Sequence, residues 1–119
     1  MLTIALPTGR VFSDAVEMIT RAGLPCDGLA SPGRKLVIEA GDFRYILAKP
    51  SDVPLYVSYG TADLAFAGGD VLLESAMPVV ELLDTGSGRC SVVVAGPRSQ
   101  AERFRGHASE LMGLKVATK

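Results

Sequence analysis

Two different periodicities meet at Pro7-Thr8-Gly9-Arg10. Before this turn Leu2, Ile4 and Leu6 alternate with Thr3 and Ala5, the two-residue period of a strand, which Pro7 ends. After it Val16, Ile19 and Leu24 mark one face of a helix over about 13–22, with Ser13 or Asp14 as cap and Gly23-Leu24-Pro25 as stop. The change of period recurs downstream. "KLVIEAG" and "DFRYILAK" read as a hairpin joined at Gly41-Asp42, and "PSDVPLYVSYG" as a short helix with Asp52 near its start and Gly60 at its end. "ADLAFAG" reads as a strand and "GDVLLESA" as a helix opening on Gly68-Gly69-Asp70. "PVVELLD" and the β-branched "CSVVVAG" read as two further strands, the second fully buried. Alternating strands and helices specify an α/β fold, in which ligands gather at strand-to-helix turns.

The 119 residues suit one domain of modest size or the beginning of a two-lobed protein, and 48% apolar with 21% charged residues suffices for a core and argues against disorder. A formal net charge of -1 provides no overall field for nucleic acid or an acidic membrane, so a polyanion must be met by local groups. No apolar run approaches the ~20 residues of a membrane span, and the first strand lacks the basic leading region of a signal peptide. Cys26 and Cys90 stand far apart, without a CxxC or an adjacent histidine, so neither zinc nor a disulfide is indicated and a reduced, cytoplasmic protein is expected. From Pro97 the character changes. "PRSQAERFRGHASELMG" is polar and helix-prone with Gly106 as an interruption, and "LKVATK" starts a strand that needs a partner. Residues 1–96 therefore read as a first α/β lobe and 97–119 as the start of an incomplete second lobe.

Several stretches have the makings of a site. At the carboxyl end of the first strand, Thr8-Gly9-Arg10 presents backbone N–H groups and a guanidinium that suit a phosphate; a tight turn with a solvated arginine has the same spelling. Gly68-Gly69-Asp70 occupies the equivalent place after "DLAFA", with Asp70 as helix cap, as ligand-facing residue, or as both. Arg34 and Lys49, at loop ends near the hairpin, suit a di- or triphosphate if brought together and are ordinary solvated charges if not. "DTGSG", residues 84–88, lacks the paired acids and second threonine of a phosphoribosyl-diphosphate loop and reads as a strand-to-strand turn whose Gly86 and Gly88 serve backbone conformation. His107, the single histidine, has no carboxylate pattern around it, and no catalytic residue is assigned.

Taken together, "LTIALPTGR", "GRKL", "KPSDVPLYVSYGTADLAFAGGDVLLE" and "ELLDTGSGRCSVVVAGP", in that order, resemble the N-terminal part of ATP phosphoribosyltransferase, short form, the first enzyme of histidine biosynthesis. The resemblance implies a lobe similar to type II periplasmic binding proteins, with Arg10 and Arg34 as cleft cations that meet phosphate; with Thr8, Gly9, Lys49, Gly68 and Asp70 from the turns read above they make up the expected substrate-binding set. It implies transfer of phosphoribosyl from phosphoribosyl diphosphate to N1 of ATP, with substrate-bound Mg2+ and no protein-held metal. It also implies a homo-oligomer and a regulatory subunit similar to histidyl-tRNA synthetase. Family members commonly carry lysine at the positions of Thr8 and Gly69 and arginine at that of Lys49, and they continue past "VATK" into the loop for phosphoribosyl diphosphate. The 119 residues alone are therefore expected to be inactive, and a non-catalytic nucleotide-binding remnant is the alternative.

Overall fold

A computed structural model describes residues 1–104, 109 and 112–118. It divides into two compact units, Met1–Arg89 and Cys90–Lys119. In the first unit β1 (Leu2–Pro7) leads to α1 (Arg10–Arg21), the β2–β3 hairpin (Val37–Ala40 and Phe43–Ala48), α2 (Val53–Ser58), β4 (Leu64–Ala65) and α3 (Gly69–Ser75). The sheet order is β2-β3-β1-β4, with β1 parallel to both β3 and β4, and β2 antiparallel to β3.

The alternation in β1 is one of large and small residues, because both faces of this central strand are covered. Ile4 and Leu6 enter a core with Ala15 and Ile19 of α1 and Tyr45 and Leu47 of β3. Ala5 faces the other way, where Ala48, Val53 of α2 and Ala62 form a smaller core. Leu6, Ile19, Tyr45 and Val53 are almost wholly excluded from water, each aliphatic side chain contributing roughly 1.5–3 kcal/mol. Val16 and Leu24 complete the predicted face of α1. The hairpin turns at Gly41-Asp42, its strands paired Ala40 to Phe43, and α2 begins after Asp52 with Pro54 in its first turn, where a missing N–H costs nothing.

Three expectations are corrected. The helix after β1 starts at Arg10, three residues before Ser13, because Gly9 adopts φ 95° and ψ −146° and turns the chain directly into it. Ser13 consequently lies inside α1, its hydroxyl donating to the Arg10 carbonyl at 3.3 Å instead of capping. "PVVELLD" forms no strand, and neither does "CSVVVAG", whose Val92, Val93 and Val94 are 103%, 73% and 74% exposed. β-branched composition favours an extended chain, but a ladder also needs a neighbour's N–H and C=O groups, and among the described residues these runs have none.

In the second unit Arg98–Gln100 form a 3-10 turn continued by α4 (Ala101–Phe104). Residues 114–118 form no strand. Gly106 and His107 lie outside the described residues.

Candidate functional site

Parallel pairing gathers the carboxyl ends of β1, β3 and β4 at one edge of the sheet. The last register pair of β1 and β3 is Pro7 with Ala48; Thr8 N–H then donates to the Ala48 carbonyl at 2.8 Å, and Lys49 follows. On the other side of β1, Ala5 pairs with Ala65, Phe66 N–H donates to the Ala5 carbonyl at 3.1 Å, and the chain continues into Gly68 and Asp70. β2 runs the opposite way, so its beginning lies at this same edge; Arg34 precedes it, beyond β3 from β1. Thr8, Gly9, Arg10 and Lys49 thus leave two adjacent strands, Gly68 and Asp70 flank them, and Arg34 is the outlying member.

The charges at this edge are unspent. Arg10, Arg34 and Lys49 are exposed and have no ion-pair partner among the described residues. Arg10 opens a 12-residue helix that no side chain caps, and the positive end of the helix dipole adds to its guanidinium. Asp70 is not the cap of α3. Gly68 holds that position and Asp70 lies in the first turn, where a carboxylate is favoured by the dipole. A Cβ on Gly68 would stand 2.5 Å from Asp70 Oδ1, so the missing side chain makes room for that carboxylate.

One contribution was not legible as a site. The expected strand-to-strand turn at 84–88 has no strand on either side and shows only a bend at Gly88; Gly86 and Gly88 adopt φ 70° and 69°. Asp84 Oδ1 accepts the Gly86 N–H at 2.8 Å, and the Thr85 and Ser87 hydroxyls pair at 3.0 Å. A Cβ on Gly88 would stand 3.8 Å from Val11 Cγ2, which sets this bend against the first turn of α1. The glycines signalled a turn; only the fold reveals its neighbour.

Other polar features lie elsewhere. A cleft of about 190 Å3 along β2 is lined by Asp27, Ser31, Lys35 and Glu39 among others, and by none of the candidate residues. Glu39 is already engaged by Arg44 at 2.8 Å. Tyr45 donates its hydroxyl to the Pro25 carbonyl at 2.6 Å; burial, and secondarily the nearby Cys26, push its pKa up and keep it neutral. Cys26 and Cys90 are free thiols. Among the described residues no three His, Cys, Asp or Glu side chains are grouped to hold a metal ion.

The family described as "HisG: ATP phosphoribosyltransferase" matches residues 49–119. The ATP phosphoribosyltransferase of Rubrobacter xylanophilus is 46% identical over 99% of this chain and 55% of its own length, and that of Moorella thermoacetica 42% identical over 100% and 54%. The chain therefore spans about half the length of the curated relatives it matches. Among solved structures, the "ATP phosphoribosyl transferase (HisG:HisZ) complex from Thermotoga maritima" superposes with TM-score 0.60 and 29% identity, over 70% of this chain and 39% of that one. Matched by the family's model over residues 49–119 and by relatives along nearly its whole length, the chain belongs to the ATP phosphoribosyltransferase family.

Proposed function

We propose that this chain supplies the phosphate-facing part of an ATP phosphoribosyltransferase catalytic subunit that acts in the first step of histidine biosynthesis. The observation that carries the reading is the gathering of Thr8, Gly9, Arg10 and Lys49 at the ends of two adjacent parallel strands, in a chain 46% identical to a named ATP phosphoribosyltransferase. In the reaction, N1 of the adenine attacks the anomeric carbon of phosphoribosyl diphosphate. The N1–C bond forms as the C–O bond breaks, and pyrophosphate leaves with the bonding electrons. Mg2+ arrives as part of the substrates and neutralises phosphate charge. Arg10, Lys49 and Arg34 hold phosphate oxygens, Thr8 and Gly9 bring backbone close to them, and Gly68 and Asp70 bound the other side of β1. Such catalysis rests on positioning and electrostatics.

The lobe is of the type II periplasmic-binding-protein kind, and the protein works in the cytoplasm as a homo-oligomer. No helix among the described residues is long and apolar enough to cross a membrane. The Thermotoga maritima neighbour, a HisG:HisZ complex, supports a regulatory partner subunit similar to histidyl-tRNA synthetase. The test is pyrophosphate release by the whole protein, expected only when ATP and phosphoribosyl diphosphate are both present, with none from the 119 residues alone. ATP binding without release by the whole protein would instead identify a nucleotide-binding module.

A further inference from the structure

The bend at Gly88, close to the first turn of α1, is followed by one more cation, Arg89. Val11 and Gly88 approach each other, the Cβ position of Gly88 lying 3.8 Å from Val11 Cγ2. Arg10 immediately precedes Val11 and Arg89 immediately follows Gly88, and consecutive Cα atoms are ~3.8 Å apart. Two long, exposed arginine side chains therefore start one residue away from a single close contact, that of Gly88 with the Val11 side chain. Neither has an ion-pair partner among the described residues. The acid nearest Arg89 in sequence, Asp84, uses Oδ1 to accept the Gly86 N–H at 2.8 Å and so braces the segment that precedes Arg89. Thr85 and Ser87 add hydroxyls on the same segment. Paired guanidiniums repel unless an anion lies between them, and a phosphate accepts charge-assisted bonds from both. Resting on the reading of the Arg10 edge as phosphate-binding, we infer that Arg89 is a further phosphate-binding residue, sharing one phosphate group of the nucleotide with Arg10.

The experiment titrates ATP into the whole protein and its Arg89→Ala, Arg89→Lys, Arg10→Ala and Arg10→Ala/Arg89→Ala variants at fixed salt and magnesium. Each alanine variant is expected to weaken binding about tenfold, as loss of one charge-assisted bond does. Arg89→Lys should recover part of the loss, since charge returns without the bidentate fork. The double variant should lose less than the product of the single losses, the mark of two groups on one phosphate. Unchanged affinity in Arg89→Ala beside a weakened Arg10→Ala would overturn the role of Arg89 and leave the edge intact as a phosphate site. Unchanged affinity in both would remove the edge reading and this inference together. A fall in thermal midpoint in Arg89→Ala that matches its loss of affinity would make the residue structural and also overturn the inference.

Discussion

β1 and the run Cys90–Gly96 are both short, apolar and rich in branched side chains, yet they end in opposite environments. Ile4 and Leu6 are 3% and 0% exposed between two paired strands and two helices, whereas Val92 is 103% exposed. Composition proposes a strand, and neighbours on both edges and both faces make one. The difference also bears on function. The buried, doubly paired strand is the one whose carboxyl end leads into the candidate residues Thr8, Gly9 and Arg10.

The widest test of this contrast is truncation to alanine in each of the two runs. Leu6→Ala should destabilise the protein by ~2–5 kcal/mol, since the cavity opens in a packed core. Val93→Ala should change stability by about 0.5 kcal/mol or less, as surface substitutions do. Urea midpoints measure both, and comparable losses would mean that the valine run is buried in solution, against the contrast drawn here.

A smaller effect is expected at the strand ends. Arg10→Ala and Arg34→Ala should each weaken ATP binding about tenfold or more, ~1.4 kcal/mol, and Arg44→Ala should leave it nearly unchanged because its guanidinium is committed to Glu39. Arg34 is the sharper of the two tests, since β3 separates β2, the strand it precedes, from β1. Loss of affinity in Arg10→Ala alone would confine the site to the ends of β1, β3 and β4. Calorimetric titration at one salt concentration decides, because screening alters every such contact.

How much of this was legible follows the range of the interaction. The hairpin at Gly41-Asp42, the start of α2 at Asp52 and the Val16–Ile19–Leu24 face depend on residues close in sequence, and they were readable. The start of α1 was misplaced because the 95° φ of Gly9, not a Ser or Asp cap, launches the helix. "ADLAFAG" reads as a whole apolar strand, but only Leu64 and Ala65 pair, with Ile4 and Ala5 of β1. The approach of Gly88 to Val11 links residues 77 positions apart, and no local pattern encodes it. The site residues were visible as types and turns; their common edge depends on parallel register.

Tyr45 tests the buried side of the contrast more finely. Its ring is fully buried, and its hydroxyl bond to the Pro25 carbonyl ties β3 to the loop after α1. Tyr45→Phe keeps the ring, removes that bond and leaves a carbonyl short of a donor, a loss of ~1 kcal/mol. The pKa raised by burial adds a pH signature. The unfolded tyrosine ionises first, near the ordinary value of 10.0, so this contribution is complete below about pH 10 and fades as pH rises through the higher folded value. The variant should lose that alkaline fall, and an identical pH profile in both proteins would show that the hydroxyl is not held as described.

The smallest effect belongs to the sheet's exposed surface. Arg44 and Glu39 are register partners across the hairpin, and one Glu39 oxygen accepts from both Nε and Nη2 of Arg44, at 3.0 and 2.8 Å. Their side chains are 44% and 54% exposed, so water already solvates much of each charge and competes with the pair. A double-mutant cycle of Arg44→Ala and Glu39→Ala should give a coupling of only ~0.2–1 kcal/mol, near the range for exposed pairs. Raising the salt to about 1 M, where the Debye length falls to about 3 Å, should reduce it further. A coupling as large as the Leu6→Ala loss would mean that this face of the hairpin is covered in solution, and the division between a buried centre and an open flank would have to be redrawn there.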